Sequence, residues 1–216
     1  MKQLKVSRLP DDILAYEFHG SFDPKAVEGP WSELEEADIS DYPWLPAYPD
    51  HFKAGARMGY NRNGLQVLMY ACESPILSLE TRFGGMPCLD SCMEFFFSPF
   101  PGRDDRYINI EINPSGIAHV AVGIRGKRYV YDREVPGMVI RTARYDGSVW
   151  AISFNVPESF LYTHFADFPA SGAVIKGNFY KCSGGGLHEH YGTWAHVGTE
   201  RPDFHRPEYF GDLVLE

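Results

Sequence analysis

The chain has 216 residues, with 20 Lys and Arg against 29 Asp and Glu, a formal charge of −9. That length suits one well-packed domain and is short for two, and an acidic chain with no basic run repels the phosphates of nucleic acid and of anionic membranes. No apolar run approaches the ~20 residues of a membrane span, and the opening MKQLKVSRLPDD lacks a leader's apolar stretch, so the sequence as written reads as cytoplasmic, or as secreted if a leader was removed.

Aromatic residues make up 15% of the chain, which also holds 21 Gly and 16 Pro. Average usage of the last two is about 7% and 5%, and this mixture favours short strands and turns over long helices. In chain order, alternation predicts a first strand over Ile13–Gly20. A Pro- and acid-rich connection over 21–50 follows, carrying Trp31 and Trp44. Strands over His51–Tyr60 and Leu65–Cys72 flank Asn61-Arg62-Asn63-Gly64, which reads as a hairpin turn. Next come Ser91–Ser98, a loop over Pro99–Arg106, and a second hairpin of Tyr107–Asn113 and Ile117–Ile124. A third hairpin joins Val139–Tyr145 to Val149–Val156 through Asp146-Gly147. One short helix is predicted over Pro157–His164, with Pro at its start. Strands over Ala173–Cys182 and Leu213–Leu215 complete the set. No helical pattern is long enough to cross over a parallel sheet, so the fold class is all-β: an antiparallel β-sandwich or jelly roll, as a single domain over 1–216.

Period-2 alternation assigns faces. Met93, Phe95 and Phe97 share one face of their strand, as do Ile108, Ile110 and Ile112, and Val120, Val122 and Ile124; these go to the core. Glu94 lies opposite with Cys92 and Phe96; Glu111 and Asn113 lie opposite on the next strand, and Asn178 and Tyr180 share a face of theirs. If these strands are neighbours, carboxylates, amides and a phenol converge on one sheet face. Adjacent sugar hydroxyls need bidentate polar partners and a sugar's C–H face needs a flat apolar ring. An ordinary solvated sheet face satisfies the same alternation.

Other strings suggest other chemistry. Glu94 and Glu111 would have the spacing of a glycosidase acid pair, roughly 5 to 9 Å, if their strands are adjacent. His188-Glu189-His190 puts two histidines on one strand face, the beginning of a metal site, but no third ligand follows at a matching distance. The closing Arg201–Gly211 segment is dense in aromatic and proline residues, and its stiffness suits presentation of Phe204 as a stacking platform, with His205 beside it. The alternatives to sugar recognition are therefore an enzyme using Glu94 and Glu111 or His188 and His190, and a protein-interaction domain on the same fold. Cys72, Cys88, Cys92 and Cys182 read as reduced and mostly buried.

The strings Asp90-Ser91-Cys92-Met93-Glu94-Phe95-Phe96-Phe97, Tyr107–Asn113 with Gly116, Trp150 before Ile152–Pro157, Gly177–Cys182, and Pro202-Asp203-Phe204-His205-Arg206-Pro207-Glu208-Tyr209-Phe210-Gly211 come in that order over roughly 50–216. In this the chain resembles carbohydrate-binding module family 9, in its stand-alone "family 9-like" branch. The resemblance implies a β-sandwich that binds mono- or disaccharides or a glycan end without catalysis, as an accessory to carbohydrate catabolism. It places a hydroxyl-bonding glutamate at Glu94 and an asparagine at Asn113. The family's arginine position is Glu111 here, its glutamine position Tyr180, and one of its two clamping tryptophans is Phe204. The other has no counterpart, since Met86-Pro87-Cys88 precedes Asp90; Trp44 and Trp194 are the available substitutes. The resemblance also implies structural calcium (Ca2+), for which Asp104-Asp105 is the acidic pair at hand and too short a signature for a site.

Overall fold

Alternating residues and Gly- and Asn-rich turns build thirteen strands among residues 2–19 and 22–216, which this computed structural model describes. They are β1 (Gln3–Arg8), β2 (Glu36–Ile39), β3 (Lys53–Asn61), β4 (Gly64–Cys72), β5 (Cys92–Ser98), β6 (Tyr107–Ile112), β7 (Ala118–Ile124), β8 (Lys127–Val130), β9 (Ile140–Tyr145), β10 (Val149–Val156), β11 (Val174–Ser183), β12 (His190–Thr193) and β13 (Gly211–Leu215). A single α-helix, α1 (Glu158–Phe165), starts after Pro157 and ends at Ala166 in the left-handed conformation.

The three expected hairpins are present. Asn61 pairs with Gly64 around a two-residue turn. Gly64 sits at φ +112°, and a β-carbon there would lie 1.9 Å from the carbonyl oxygen of Val156, so only glycine fits. β6 pairs with β7, and β9 with β10 around Asp146 and Gly147, both at positive φ.

The strands follow the order β8-β7-β6-β5-β11-β13-β1-β3-β4-β10-β9, with β12 beside β11 and β2 beside β3. The sheet curls on itself into two layers. The side chains of Phe95, Phe97, Ile108, Ile110, Val120 and Phe179 from one layer meet Met58, Val67, Met69, Ile152 and Phe154 from the other in the main core. β1 is the seam: Gln3–Val6 pairs with Asp212–Leu215 of β13 and Ser7–Arg8 with Gly59–Tyr60 of β3. Both pairings are parallel, which corrects the expected all-antiparallel sheet to a mixed one. The direction of β1 is set by its long-range pairing with β13 and β3.

Four local expectations need correction. Residues 13–19 are not a strand, because Ala15 at φ +58° breaks the extension; Gly20 lies outside the described residues. The connection contains β2 and a single 3-10 turn at Gly29–Glu33, and β8 and β12 went unpredicted because each has only four residues. Ile124 is 44% exposed, at the end of β7 where it pairs with Lys127 beside the turn into β8.

Neither outer face is left wet. Leu9, Phe22, Val27, Trp31 and Leu34 cover Leu68, Tyr70 and Ala151 on the outside of the β3-β4-β10 layer. That apron is fastened by bonds from the Ala15 and Tyr16 amides to Gln66 Oε1 (2.8 Å) and Ser153 Oγ (2.6 Å). Trp44, Val197, Phe204 and Phe210 cover Cys92, Phe96, Tyr107, Tyr180 and Cys182 on the outside of the other layer. The candidate site lies in the second covering.

Candidate functional site

Of the polar residues expected to converge, Glu94, Glu111 and Tyr180 stand in register. One row across the outer face reads His119, Glu111, Glu94, Tyr180, Thr193 on β7, β6, β5, β11 and β12. The next row toward the chain's 88–89 turn pairs Cys92 with Cys182. Over these rows lies a cavity of about 260 Å³. Its lining includes Glu94, Glu111, Phe96, Cys88, Cys182 and Tyr191, with Asp203, Phe204 and His205 from the C-terminal loop.

Glu94 and Glu111 are only 2% and 7% exposed, so both carboxyl groups face the cavity floor largely out of water. Cys182 Sγ donates to Glu94 Oε1 at 3.0 Å. Burial, with the negative groups beside it, pushes the Glu94 carboxyl well above the usual carboxylate range. Burial also raises Glu111, but less freely, because His119, the Asn109 amide (Nδ2 to Oε1, 3.0 Å) and Arg128 favour its charged form. The floor thus holds two carboxyls that burial raises, Glu94 with little to offset it and Glu111 beside cationic and amide groups that favour its charge.

His205 is fixed from two sides: its Nδ1 lies 3.0 Å from the Tyr107 hydroxyl and 2.8 Å from Arg128 Nη1, and its ring packs on Phe96 at 4.9 Å. Burial and then the Arg128 charge pull it down to about 4, so it is neutral at pH 7. Phe204 is in the cavity wall, but Tyr180 stacks on one of its ring faces at 4.0 Å. Prolines and an ion-pair cluster hold the loop: Asp203 Oδ2 accepts from Arg125 Nη2 at 2.7 Å and from Arg206 Nε at 2.8 Å.

The other predicted residues have different employment. Asn113 bonds Asp90 Oδ2 (2.9 Å) and the Glu80 carbonyl (3.0 Å) through Nδ2 and accepts from the Ser115 and Ile117 amides. Asn178 clamps the Ala195 backbone, accepting from its N–H and donating to its C=O, each at 2.8 Å. The Tyr180 hydroxyl donates to the Phe204 carbonyl at 3.3 Å. These three are fully buried and shape the site from behind its lining. Glu94, Glu111, Phe204 and His205 are the predicted residues that share the cavity. Of the substitute tryptophans, Trp44 tilts behind Phe204 at 6.0 Å, and Trp194 packs on Phe179 in the main core.

Sequence reasoning missed Arg128, because β8 was not predicted and no face could be assigned without it. Cys88 and Tyr191 were likewise invisible as lining, since they arrive from a turn and a short edge strand. The histidine pair does not form a metal site: His188 Nδ1 meets Asp50 Oδ2 at 3.1 Å, whereas buried His190 meets Lys181 Nζ at 2.8 Å. The acidic pair suggested for calcium does not fit it either. Both Asp104 oxygens are occupied by the Arg106 guanidinium at 2.6–3.1 Å, and Asp105 is exposed.

Comparison with known proteins adds to this geometry. The family model for carbohydrate-binding family 9 matches residues 30–215. The chain belongs to carbohydrate-binding family 9. A putative carbohydrate-binding protein from Bacteroides uniformis has a solved structure similar to this family 9 chain, at 26% identity and a TM-score of 0.81, covering 100% of this chain and 99% of that one. A family 9 module from Caldicellulosiruptor kristjanssonii, solved with glucose, superposes with a TM-score of 0.64 at 13% identity over 100% and 96% of the two chains. A family 9 module from the same organism, solved with cellotriose, gives 0.64 at 12% over 100% and 94%. No curated protein sequence matches the chain. The two-layer β-sandwich is thus the family 9 fold, and no helix among the described residues is long and apolar enough to cross a membrane.

Proposed function

We propose that this family 9 protein binds a small sugar, a mono- or disaccharide or the end of a glycan, in the cavity over Glu94 and Glu111 and leaves its bonds intact. The observation that carries this reading is the pairing of the two carboxyl groups across β5 and β6 at the floor of an aromatic-walled cavity. A carboxyl accepts through its oxygens and donates when it carries a proton, so the pair can meet vicinal hydroxyls in either sense. Phe96, Tyr191 and Phe204 supply apolar wall for C–H groups. The volume of about 260 Å³ is below the ~300–1,000 Å³ of drug-sized sites, which suits one sugar ring rather than a chain. The neighbours solved with glucose and cellotriose support the same ligand class.

Hydrolysis fits the geometry poorly. A glycosidase places its two carboxyl groups on either side of the scissile bond, whereas Glu94 and Glu111 are cross-strand neighbours on one sheet face and lie on the same side of anything above them.

The test is calorimetric titration of the full chain with glucose, cellobiose and a panel of other mono- and disaccharides. Saturable binding of at least one sugar is expected, with Glu111→Gln weakening it by about tenfold, the ~1.4 kcal/mol lost with one hydrogen bond. Binding unaffected by both Glu111→Gln and Glu94→Ala would move the site elsewhere.

A further inference from the structure

The sugar reading leaves unused the thiols that crowd the same floor. Cys92 on β5 and Cys182 on β11 face each other in register, and Glu94 is two residues along β5 on the same side. One donor atom from each of Cys92, Glu94 and Cys182 lies within 4.8 Å of the other two, and all three residues are buried. It is the one such group of His, Cys, Asp or Glu side chains among the described residues. Glu94 accepts from the Cys182 thiol at 3.0 Å, and no salt bridge reaches its carboxyl among the described residues.

The three donors come from adjacent strands held by a continuous ladder, so their separation is set by the sheet and not by flexible loops. The Gly184 and Gly185 amides bond the Cys88 and Leu89 carbonyls at 2.8 and 3.0 Å, which pins the 88–89 turn against the end of β11. Cys182 and Glu94 both line the cavity, together with Cys88. A ligand set of two sulfurs and one carboxylate oxygen, with its remaining side open to a cavity, matches the three-protein-ligand pattern of an open zinc site. Sulfur donors disfavour the hard cations calcium and magnesium and favour zinc and its soft neighbours.

We propose that Cys92, Cys182 and Glu94 form a binding site for a thiophilic divalent cation, zinc by its donor chemistry, with the fourth coordination position facing the cavity. Binding replaces the two thiol protons and the carboxyl proton by one dication, so the site's charge changes from neutral to −1 and up to three protons pass to solvent. Glu94 belongs to both sites, so an occupied metal site alters sugar recognition without depending on it.

The experiment is titration of the full-length, reduced, metal-stripped protein with Co2+ under anaerobic conditions, followed by Zn2+. Expected are uptake of one ion per chain, a sulfur-to-cobalt charge-transfer band in the near ultraviolet, proton release during binding, and loss of the band as zinc displaces cobalt. Cys92→Ser and Cys182→Ser should each abolish the band, and Cys72→Ser, on the opposite layer, should retain it. Glu94→Gln keeps both thiols and should weaken cobalt binding at least tenfold, which covers the case in which a serine variant fails to fold. A reduced wild type that gives no band overturns the proposal, as does a band that survives Cys92→Ser and Cys182→Ser. So does a Cys92–Cys182 disulfide in the protein as isolated that resists reduction. Sugar titrations of the metal-stripped protein report on the sugar reading separately, so failure of either leaves the other standing.

Discussion

Burial, with Cys182 and Glu111 beside it, holds the Glu94 carboxyl well above the usual carboxylate range. Its folded affinity for the proton exceeds that of an ordinary carboxyl near pH ~4.3, so between that value and its raised one the folded chain binds more protons than the unfolded chain, and stability falls as pH rises. The buried histidines work the other way. His190 is pulled down to about 3 and His205 to about 4, so each supports the fold above an ordinary imidazole's ~6.5 and withdraws that support as pH falls from there. Wild-type melting therefore mixes opposed slopes, and the informative quantity is a difference. The melting temperature of Glu94→Gln minus that of wild type should grow with pH above about 4.3, each tenfold in proton affinity being worth about 1.4 kcal/mol. A difference that stays constant from about pH 4 to pH 8 would mean that Glu94 ionises normally in the fold.

Between the layers, where β4, β10, β11 and β12 come together, the elements share a buried charge. Lys181 is 0% exposed; its Nζ lies 2.7 Å from Glu73 Oε2 and 2.8 Å from His190 Nε2, and Trp150 Nε1 donates to Glu73 Oε1 at 2.7 Å. Breaking a buried pair from one side strands a charge, at a cost of about 3–5 kcal/mol, whereas removing both partners is often nearly neutral. Lys181→Met should therefore lower urea-unfolding stability by that amount, and Lys181→Met with Glu73→Leu should recover most of it; a double variant as unstable as the single one would show that packing, not charge, is at stake. This network also marks how far the sequence is legible. Alternation in Gly177–Cys182 puts Phe179 inside and Tyr180 outside, and the structure agrees, but the same parity puts Lys181 inside, where nothing local announces Glu73 from a loop more than a hundred residues earlier. The hairpins and the facing of Glu94 and Glu111 were readable because both depend on neighbours in sequence. Arg128, the pinned 88–89 turn and the parallel seam at β1 were not, because each depends on a partner brought by topology.

At the scale of the molecule, two aprons cover the two outer faces, and they have separate work. The C-terminal one lines the cavity through Phe204 and His205 and packs Phe210 edge-on against Tyr107 behind it. The N-terminal one is centred on Trp31, which meets Tyr16 edge-on at 5.8 Å and packs in the cluster with Leu68 and Tyr70 on the far layer. Two layers of side chains and the main core separate Trp31 from Glu94, and no residue of its cluster lines the cavity. Truncating a buried tryptophan costs about 3–5 kcal/mol, so Trp31→Ala should lower stability by that amount and open residues 9–34 to limited proteolysis. Sites with no shared partners act additively, so the same variant, measured well below its melting temperature, should bind the sugar identified by titration with wild-type affinity. Phe210→Ala, in the apron that lines the cavity, should lose stability and affinity together. If Trp31→Ala weakens sugar binding as much as Phe210→Ala does, the aprons are coupled through the core, and the cavity's shape is a property of the whole sandwich rather than of one face.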